Sequence, residues 1–209
     1  MHRARNKYFF QDEKIISLRK CAKPTFTYTD FDCYVSQTYF IIKTERLNQK
    51  YLTALLNSKL VAFWLKHKGK MQGFQYQVDK GPLVEIPLME IKDTAVFESL
   101  VDYILYIKGN AIQKINEYVS NDHLVQSFED VLNACVYELY FEEHMKEKGI
   151  DVLRFSKDLI KPINQVKDIA DTINVVYRTL KEPNNEIRNR MLLFATRSEN
   201  ILLPIQKVY

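Results

Sequence analysis

The chain divides into two parts by the spacing of its apolar residues. In the first part, β-branched and aromatic residues alternate with polar ones over short stretches, a pattern typical of strands. We expect strands at residues 14–19, 25–29, 33–44 and 74–78. Residues 30–32, "DFD", separate the second and third of these strands and are expected to form the turn of a hairpin.

One segment of this first part has helical spacing instead. Apolar residues recur every three or four positions and share one helical face, which is typical of scaffold: Leu52, Leu56, Leu60, Phe63 and Trp64. Asn48 is a capping residue by type, and Gly69 follows the last periodic position. The sequence therefore predicts one prominent helix. Its exit, at 81–88, is expected to be extended because it contains two prolines.

From about residue 94 the apolar period changes to 3.6. We expect helices at 94–119, at 122–149 with Gly149 as a stop, at 156–180 and at 184–198. Consecutive helices of this kind predict an antiparallel bundle. The fold class is therefore α+β, with a small mixed-β domain and one prominent helix at 1–90, followed by an all-helical region at 91–209.

Composition adds few constraints. The chain has 209 residues, of which 46% are hydrophobic and 27% charged, as in an ordinary globular protein. It has no apolar run of about 18 residues, so no membrane span is expected. The charged and aromatic N-terminus lacks the features of a signal peptide and suggests a piece cut from a longer cytoplasmic protein. Three cysteines without a C-x-x-C spacing predict buried, reduced thiols rather than a zinc site.

Positive charge is concentrated in the first part. Residues 1–90 hold 15 Lys and Arg against 8 Asp and Glu, whereas residues 91–209 hold 15 against 18. Such an asymmetry indicates a polyanionic partner for the basic part, although an uneven solvated surface also accounts for it.

Motifs of catalysis are not found in the sequence. The five glycines assemble neither a dinucleotide fingerprint nor a P-loop, and neither G-x-S-x-G nor H-E-x-x-H occurs. The four histidines are scattered, without partners at metal-binding spacing. We therefore expect no catalytic residues and no metal site in this chain.

The segment 66–83, "KHKGKMQGFQYQVDKGPL", carries the clearest candidate chemistry. Lysines can neutralise phosphates with release of counterions, and the candidates are Lys66, Lys68, Lys70 and Lys80. Glutamine amides can pair with adenine in the major groove, and the candidates are Gln72, Gln75 and Gln77. A second set of phosphate candidates follows the first strand: Arg19, Lys20 and Lys23.

Alternation within a strand separates the faces of this segment. Phe74 and Tyr76 are expected to pack on the core, with Gln75 and Gln77 on the opposite, solvent-facing side. A glycine-rich connection kept soluble by its lysines is the alternative interpretation of the same residues.

Five pieces of sequence occur in a characteristic order: Lys14–Ile15, "CYVSQTYFII" at 33–42, "YLTALLNSKL" at 51–60, "FWL" at 63–65 and "LVEIPL" at 83–88. Together they resemble the C-terminal specificity domain of TaqI-type adenine-N6 DNA methyltransferases. The resemblance is strongest to those fused to endonucleases in type IIG (Eco57I-like) restriction–modification enzymes. It spans about residues 10–90.

The resemblance implies a target recognition domain that grips the major groove of double-stranded DNA and selects its sequence. In such enzymes a separate methyltransferase domain binds S-adenosylmethionine and handles a flipped adenine with an N-P-P-[YF] motif. A nuclease domain would add Mg²⁺. This chain has no N-P-P, so the resemblance implies a non-catalytic fragment without its own cofactor, partnered by the methyltransferase domain of its parent chain.

Two alternatives remain open at this point. The chain could be a fragment of a type I specificity subunit, which binds DNA without an enzymatic domain. It could also be a helical protein-interaction module in which residues 91–209 bind a partner. The role of that helical region does not follow from the sequence.

Overall fold

The structure is a computed structural model that describes residues 6–209. These residues form two compact units. The first runs up to Glu90 and includes Val208 and Tyr209, and the second is Ile91–Lys207. Strands and short helices build the first unit, and helices build the second, which confirms the α+β class.

The strands of the first unit form two antiparallel sheets of three strands each. In chain order the strands are β1 (Lys14–Leu18), β2 (Lys20–Cys21), β3 (Phe26–Thr29), β4 (Tyr39–Ile42), β5 (Lys70–Gln72) and β6 (Gln75–Gln77). One sheet has the order β3-β1-β4 and the other has the order β2-β6-β5. All described pairings are antiparallel.

β1 is the centre of the first sheet. Ile15 is fully buried and lies opposite Tyr28 of β3 on one side and Ile42 of β4 on the other. The predicted hairpin between β3 and β4 is therefore wrong, because each pairs with β1 instead. β4 is also shorter than the alternation at 33–44 suggested, since only Tyr39–Ile42 reaches β1.

Phe31 and Asp32 hold the chain at the start of β1 by hydrogen bonds, and residues 30–32 do not form a hairpin turn. The buried ammonium of Lys14 donates to the backbone oxygens of Asp12, at 2.6 Å, and Phe31, at 2.5 Å. The carboxylate of Asp32 accepts from the backbone N–H of Asp12 at 3.0 Å. Burial of a lysine is tolerated here because its charge is hydrogen-bonded.

The predicted single helix is two helices, α1 (Gln49–Asn57) and α2 (Lys59–Lys68). Ser58 separates them with an extended backbone at ψ 150°. Its hydroxyl donates to the Leu55 oxygen at 2.6 Å and accepts from the Val61 N–H at 3.2 Å. The same side chain thus ends one helix and caps the next, a local alternative to continuing the helix that serine provides.

The exit segment contains a short helix, α3 (Lys80–Val84), where an extended chain was expected. Pro82 lies in the first turn of α3, where a backbone N–H has no helical partner to lose, so the helix accommodates it. From Glu85 to Glu90 the described chain has no regular helix or strand, as expected from Pro87.

The core of the first unit joins both sheets to α1 and α2. Its buried members come from every layer: Ile15, Phe26, Leu52, Leu56, Val61, Leu65, Tyr76, Val78 and Ile86. Trp64 and Cys21 pack against this cluster from its edge. The helical face predicted as scaffold contributes Leu52, Leu56 and Trp64 to this core, which also holds Tyr76 of β6.

The second unit is all-helical in its described residues. Its helices are α4 (Ala95–Gly109), α5 (Asn121–Tyr140), α6 (Glu142–Glu147), α7 (Leu153–Leu159), α8 (Ile169–Lys181), α9 (Glu186–Leu192), α10 (Phe194–Arg197) and α11 (Leu202–Gln206), with a 3₁₀ turn at Ile163–Gln165. None of the helices in residues 6–209 has the length and apolar character that a membrane crossing requires.

Local signals divide the four predicted helices into shorter ones. The first ends at Gly109 because the Asn110 side chain donates to the Tyr106 oxygen at 2.8 Å. The second is interrupted at Phe141, and Gly149, with φ +63°, follows its last turn as predicted. The third is interrupted around Pro162, which disfavours helix at the residue before it.

Candidate nucleic-acid interface

Five of the predicted DNA-binding residues lie on one face of the β2-β6-β5 sheet. Lys20 and Lys70 are both directly opposite Gln77, from the two neighbouring strands. Gln72 is directly opposite Gln75, two residues along the same strands. Side chains two residues apart share a face, and so do directly paired ones. We call this surface, made of Lys20, Lys70, Gln72, Gln75 and Gln77, the amide–lysine face.

The reverse side of the same sheet is anchored in the core. Tyr76 is 3% exposed and lies between Cys21 and Met71 in the register. Burial raises the pKa of the Tyr76 phenol, and burial also raises that of the Cys21 thiol. The expectation that Tyr76 packs inward while Gln75 projects outward is thus met, and the amide–lysine face rests on a rigid support.

The tip of the β5–β6 hairpin consists of Gly73 and Phe74. Gly73 has φ +59°, whereas Phe74 does not have a positive φ. A positive φ at the first central residue alone is the pattern of a type II′ turn, which takes glycine there. The strand predicted at 74–78 is therefore the second strand of a hairpin, β6, and Phe74 belongs to the turn. Phe74, expected in the core beside Tyr76, is 95% exposed at its tip.

The three glutamines differ in the exposure and the hydrogen bonding of their side-chain amides. Gln72 and Gln75 are exposed. Gln77 is half-buried, and its amide nitrogen donates to both carboxylate oxygens of Asp79, at 3.1 and 3.0 Å. Gln72 and Gln75 are consequently the pair that can present donor and acceptor groups to a ligand, while Gln77 positions Asp79.

Four of the candidate lysines are exposed and have neither an ion pair nor a side-chain hydrogen bond within residues 6–209: Lys20, Lys68, Lys70 and Lys80. Lys68 lies in the last turn of α2 with its ammonium 5.9 Å from the centre of the Trp64 ring. Lys80 begins α3. Their charges are available to an anionic ligand, because no acidic side chain of the described chain neutralises them.

The remaining three candidates have partners inside the first unit. Lys66 donates to the Val208 backbone oxygen at 2.8 Å. The Lys23 ammonium lies 5.2 Å from the centre of the Tyr209 ring. The Arg19 guanidinium stacks 4.4 Å over the Phe40 ring. None of the three belongs to the amide–lysine face.

Two features of this surface were missed in the sequence. β2 is only two residues long, too short for its pairing with β6 to show in a pattern. The hairpin, in contrast, had a signal, because alternating residues flank a two-residue Gly-Phe step, which is typical of a II′ turn. No group of three or more His, Cys, Asp and Glu that could hold a metal occurs within residues 6–209.

Comparison with known families finds a match for the part of the chain that carries this surface. Residues 1–88 match the family model described as the TaqI-like C-terminal specificity domain, which confirms the resemblance. The match includes β1 to β6 and α1 to α3 and therefore the whole amide–lysine face. It supports sequence-specific DNA recognition in a restriction–modification setting. A search of curated proteins found no match for the chain.

Proposed function

We propose that residues 1–88, which match the family model of the TaqI-like C-terminal specificity domain, act as such a domain, and that the amide–lysine face enters the major groove of double-stranded DNA and reads its sequence. The observation that carries this proposal is the strand register, which places exposed lysines and amides on one side of a core-anchored sheet.

The dimensions of the hairpin suit this groove. The major groove of B-form DNA is about 12 Å wide and admits a two-stranded ribbon. Neighbouring strands lie about 4.8 Å apart, and three residues of strand span about 10 Å. β5 and β6, at three residues each, form a ribbon of that size.

The chemistry of the face divides into two roles. The amides of Gln72 and Gln75 can each donate and accept toward an adenine edge, and two neighbouring amides can read neighbouring base pairs. Lys20 and Lys70 flank Gln77 on the outer strands. There they can contact phosphates, a contact that sets register without carrying sequence information. Lys68 and Lys80 extend the positive charge beyond the sheet.

The finer identity of the parent protein is also a proposal. The family match supports DNA recognition in a restriction–modification setting, and we propose that the parent is an adenine-N6 methyltransferase of type IIG that acts in the cytoplasm. S-adenosylmethionine, and Mg²⁺ for cleavage, would then be held by domains outside this chain. Finding an N-P-P-[YF] motif in the same reading frame would support this version. Finding a second recognition domain instead would identify a type I specificity subunit.

The test is selection of bound duplexes from a random DNA pool by the 209-residue chain at low salt, followed by sequencing. We expect a defined site to be enriched and the affinity to fall with a negative slope of log K against log salt. If duplexes are retained at low salt without enrichment of any sequence, or are not retained at all, the proposed function is wrong.

A further inference from the structure

Phe74 is the most exposed large apolar residue in the described part of the first unit. Its side chain is 95% exposed. Single exposed apolar residues are ordinary on protein surfaces. Phe74, however, occupies the tip of an ordered hairpin, where Gly73 supplies the positive φ and the Gln72–Gln75 pair closes the turn. The backbone therefore presents the phenyl ring from a defined position.

The neighbours of Phe74 connect it with the amide–lysine face. Gln75 follows it directly in the chain, and consecutive Cα atoms are about 3.8 Å apart. This spacing is of the order of one base-pair step, so a base pair met by the amide of Gln75 lies close to Phe74 in a groove that the hairpin tip enters. The pairing of Gln72 with Gln75 holds the turn that carries Phe74 in one conformation.

We propose that Phe74 contacts the 5-methyl group of a thymine in the major groove and so contributes to sequence selection. This inference rests on the proposed function. Thymine is the base that displays an apolar group in that groove, and a phenylalanine side chain is suited to contact it. An adenine read by a glutamine presents its partner thymine in the same groove, so the two contacts recognise A·T pairs together.

The experiment removes the methyl group from the DNA and the ring from the protein. Each thymine of the selected duplex is replaced in turn by deoxyuridine, and dissociation constants are measured by fluorescence anisotropy for the unchanged chain and for Phe74→Ala. At one thymine we expect deoxyuridine to weaken binding by the unchanged chain about fourfold, the value of one buried methyl group. The Phe74→Ala variant should not distinguish thymine from deoxyuridine at that position.

Phe31→Ala is the matched control, because Phe31 is a second exposed phenylalanine of the same unit, at 65% exposure. This variant should keep the full sensitivity to deoxyuridine. Circular dichroism melting of both variants checks that each is folded as the unchanged chain is.

The outcomes separate the inference from the proposed function. If a site is selected but deoxyuridine is tolerated at every thymine, or its effect persists in Phe74→Ala, the role of Phe74 is overturned and DNA recognition stands. The same holds if Phe74→Ala binds the selected duplex normally and loses only association with a methyltransferase protein. If no site is selected, the proposed function itself has failed.

Discussion

Gln72 and Gln75 lie directly opposite each other at the closed end of the β5–β6 hairpin, so their amides project side by side from one face. Directly paired residues on adjacent strands have Cβ atoms about 5 Å apart. Two amides at this spacing can act on neighbouring base pairs, and this relationship makes the first prediction specific.

Replacing Gln72 or Gln75 by alanine should change which sequences bind, more than it changes binding to DNA in general. Each good bidentate contact with an adenine contributes about 1–3 kcal/mol of discrimination. Repeating the duplex selection with each variant measures the change. Gln126→Ala is the control, since this glutamine of α5 is exposed and donates to Asp130 at 2.9 Å. An unchanged selected site in both hairpin variants would contradict base reading by this pair.

Replacing Lys70 by alanine should weaken binding to all duplexes and reduce the magnitude of the salt slope by about one unit, because one phosphate contact is lost. Lys20→Ala and Lys68→Ala should act in the same way. Titrations at several salt concentrations give the slopes. Lys114→Ala removes the same charge from an exposed position of the second unit and should leave the slope unchanged. Equal effects of Lys70→Ala and Lys114→Ala would show that Lys70 acts only through the net charge of the chain and makes no phosphate contact.

Gly73→Ala should loosen the hairpin, since an alanine at φ +59° costs about 1 kcal/mol. An added Cβ meets no atom within 4 Å, so the cost is conformational rather than steric. Hydrogen exchange of residues 70–77 should accelerate about fivefold. Gly81→Ala is the matched control, because it also has open space and no positive φ. Exchange that is equally fast in both variants would show that the turn geometry does not hold the hairpin.

Ser58→Ala should destabilise the first unit by about 1 kcal/mol, the usual effect of losing an N-cap side chain. The Val61 N–H loses its acceptor, and the Leu55 oxygen loses one donor. Denaturant unfolding followed by Trp64 fluorescence measures the change within this unit. Ser36→Ala, at an exposed position, should stay within about 0.5 kcal/mol of the unchanged chain. A smaller effect at Ser58 than at Ser36 would exclude the capping role.

Cys135 should make the second unit lose stability as the solution becomes alkaline. Burial raises the pKa of this thiol from 9.0 to about 12. Between these values the unfolded chain has released the proton and the folded chain retains it. The stability contribution is therefore complete below about pH 9 and is lost as pH rises toward 12.

Cys21 and Cys33, only half-buried, depart from the expectation of buried thiols.

Comparison with Cys135→Ala isolates this effect, because other titrating groups act equally in both proteins. The difference in unfolding free energy between the two should shrink by about 1.4 kcal/mol from pH 8 to pH 10, the value of one pKa unit. A difference that stays constant over this range would show that the thiol titrates normally in the folded chain.

Sequence by itself determined the local parts of this protein. The 3.6-residue period marked the helices, and the alternation at 74–78 marked the strand that became β6, whereas β5 was not predicted. Residue types also identified the lysines and glutamines of segment 66–83 as candidates, because charge and amide chemistry are properties of single side chains. These features depend on neighbours within a few positions, which a pattern can reveal.

Tertiary structure decided which of those parts meet. β3 and β4 pair with β1 and not with each other, and β2 pairs with β6 across more than 50 residues of chain, which places Lys20 beside Gln77. It also brought Lys66 to Val208 and Lys23 to Tyr209, away from the amide–lysine face. The physical reason is that pairing between distant strands depends on which apolar faces can be buried together, and that choice belongs to the whole unit rather than to any segment.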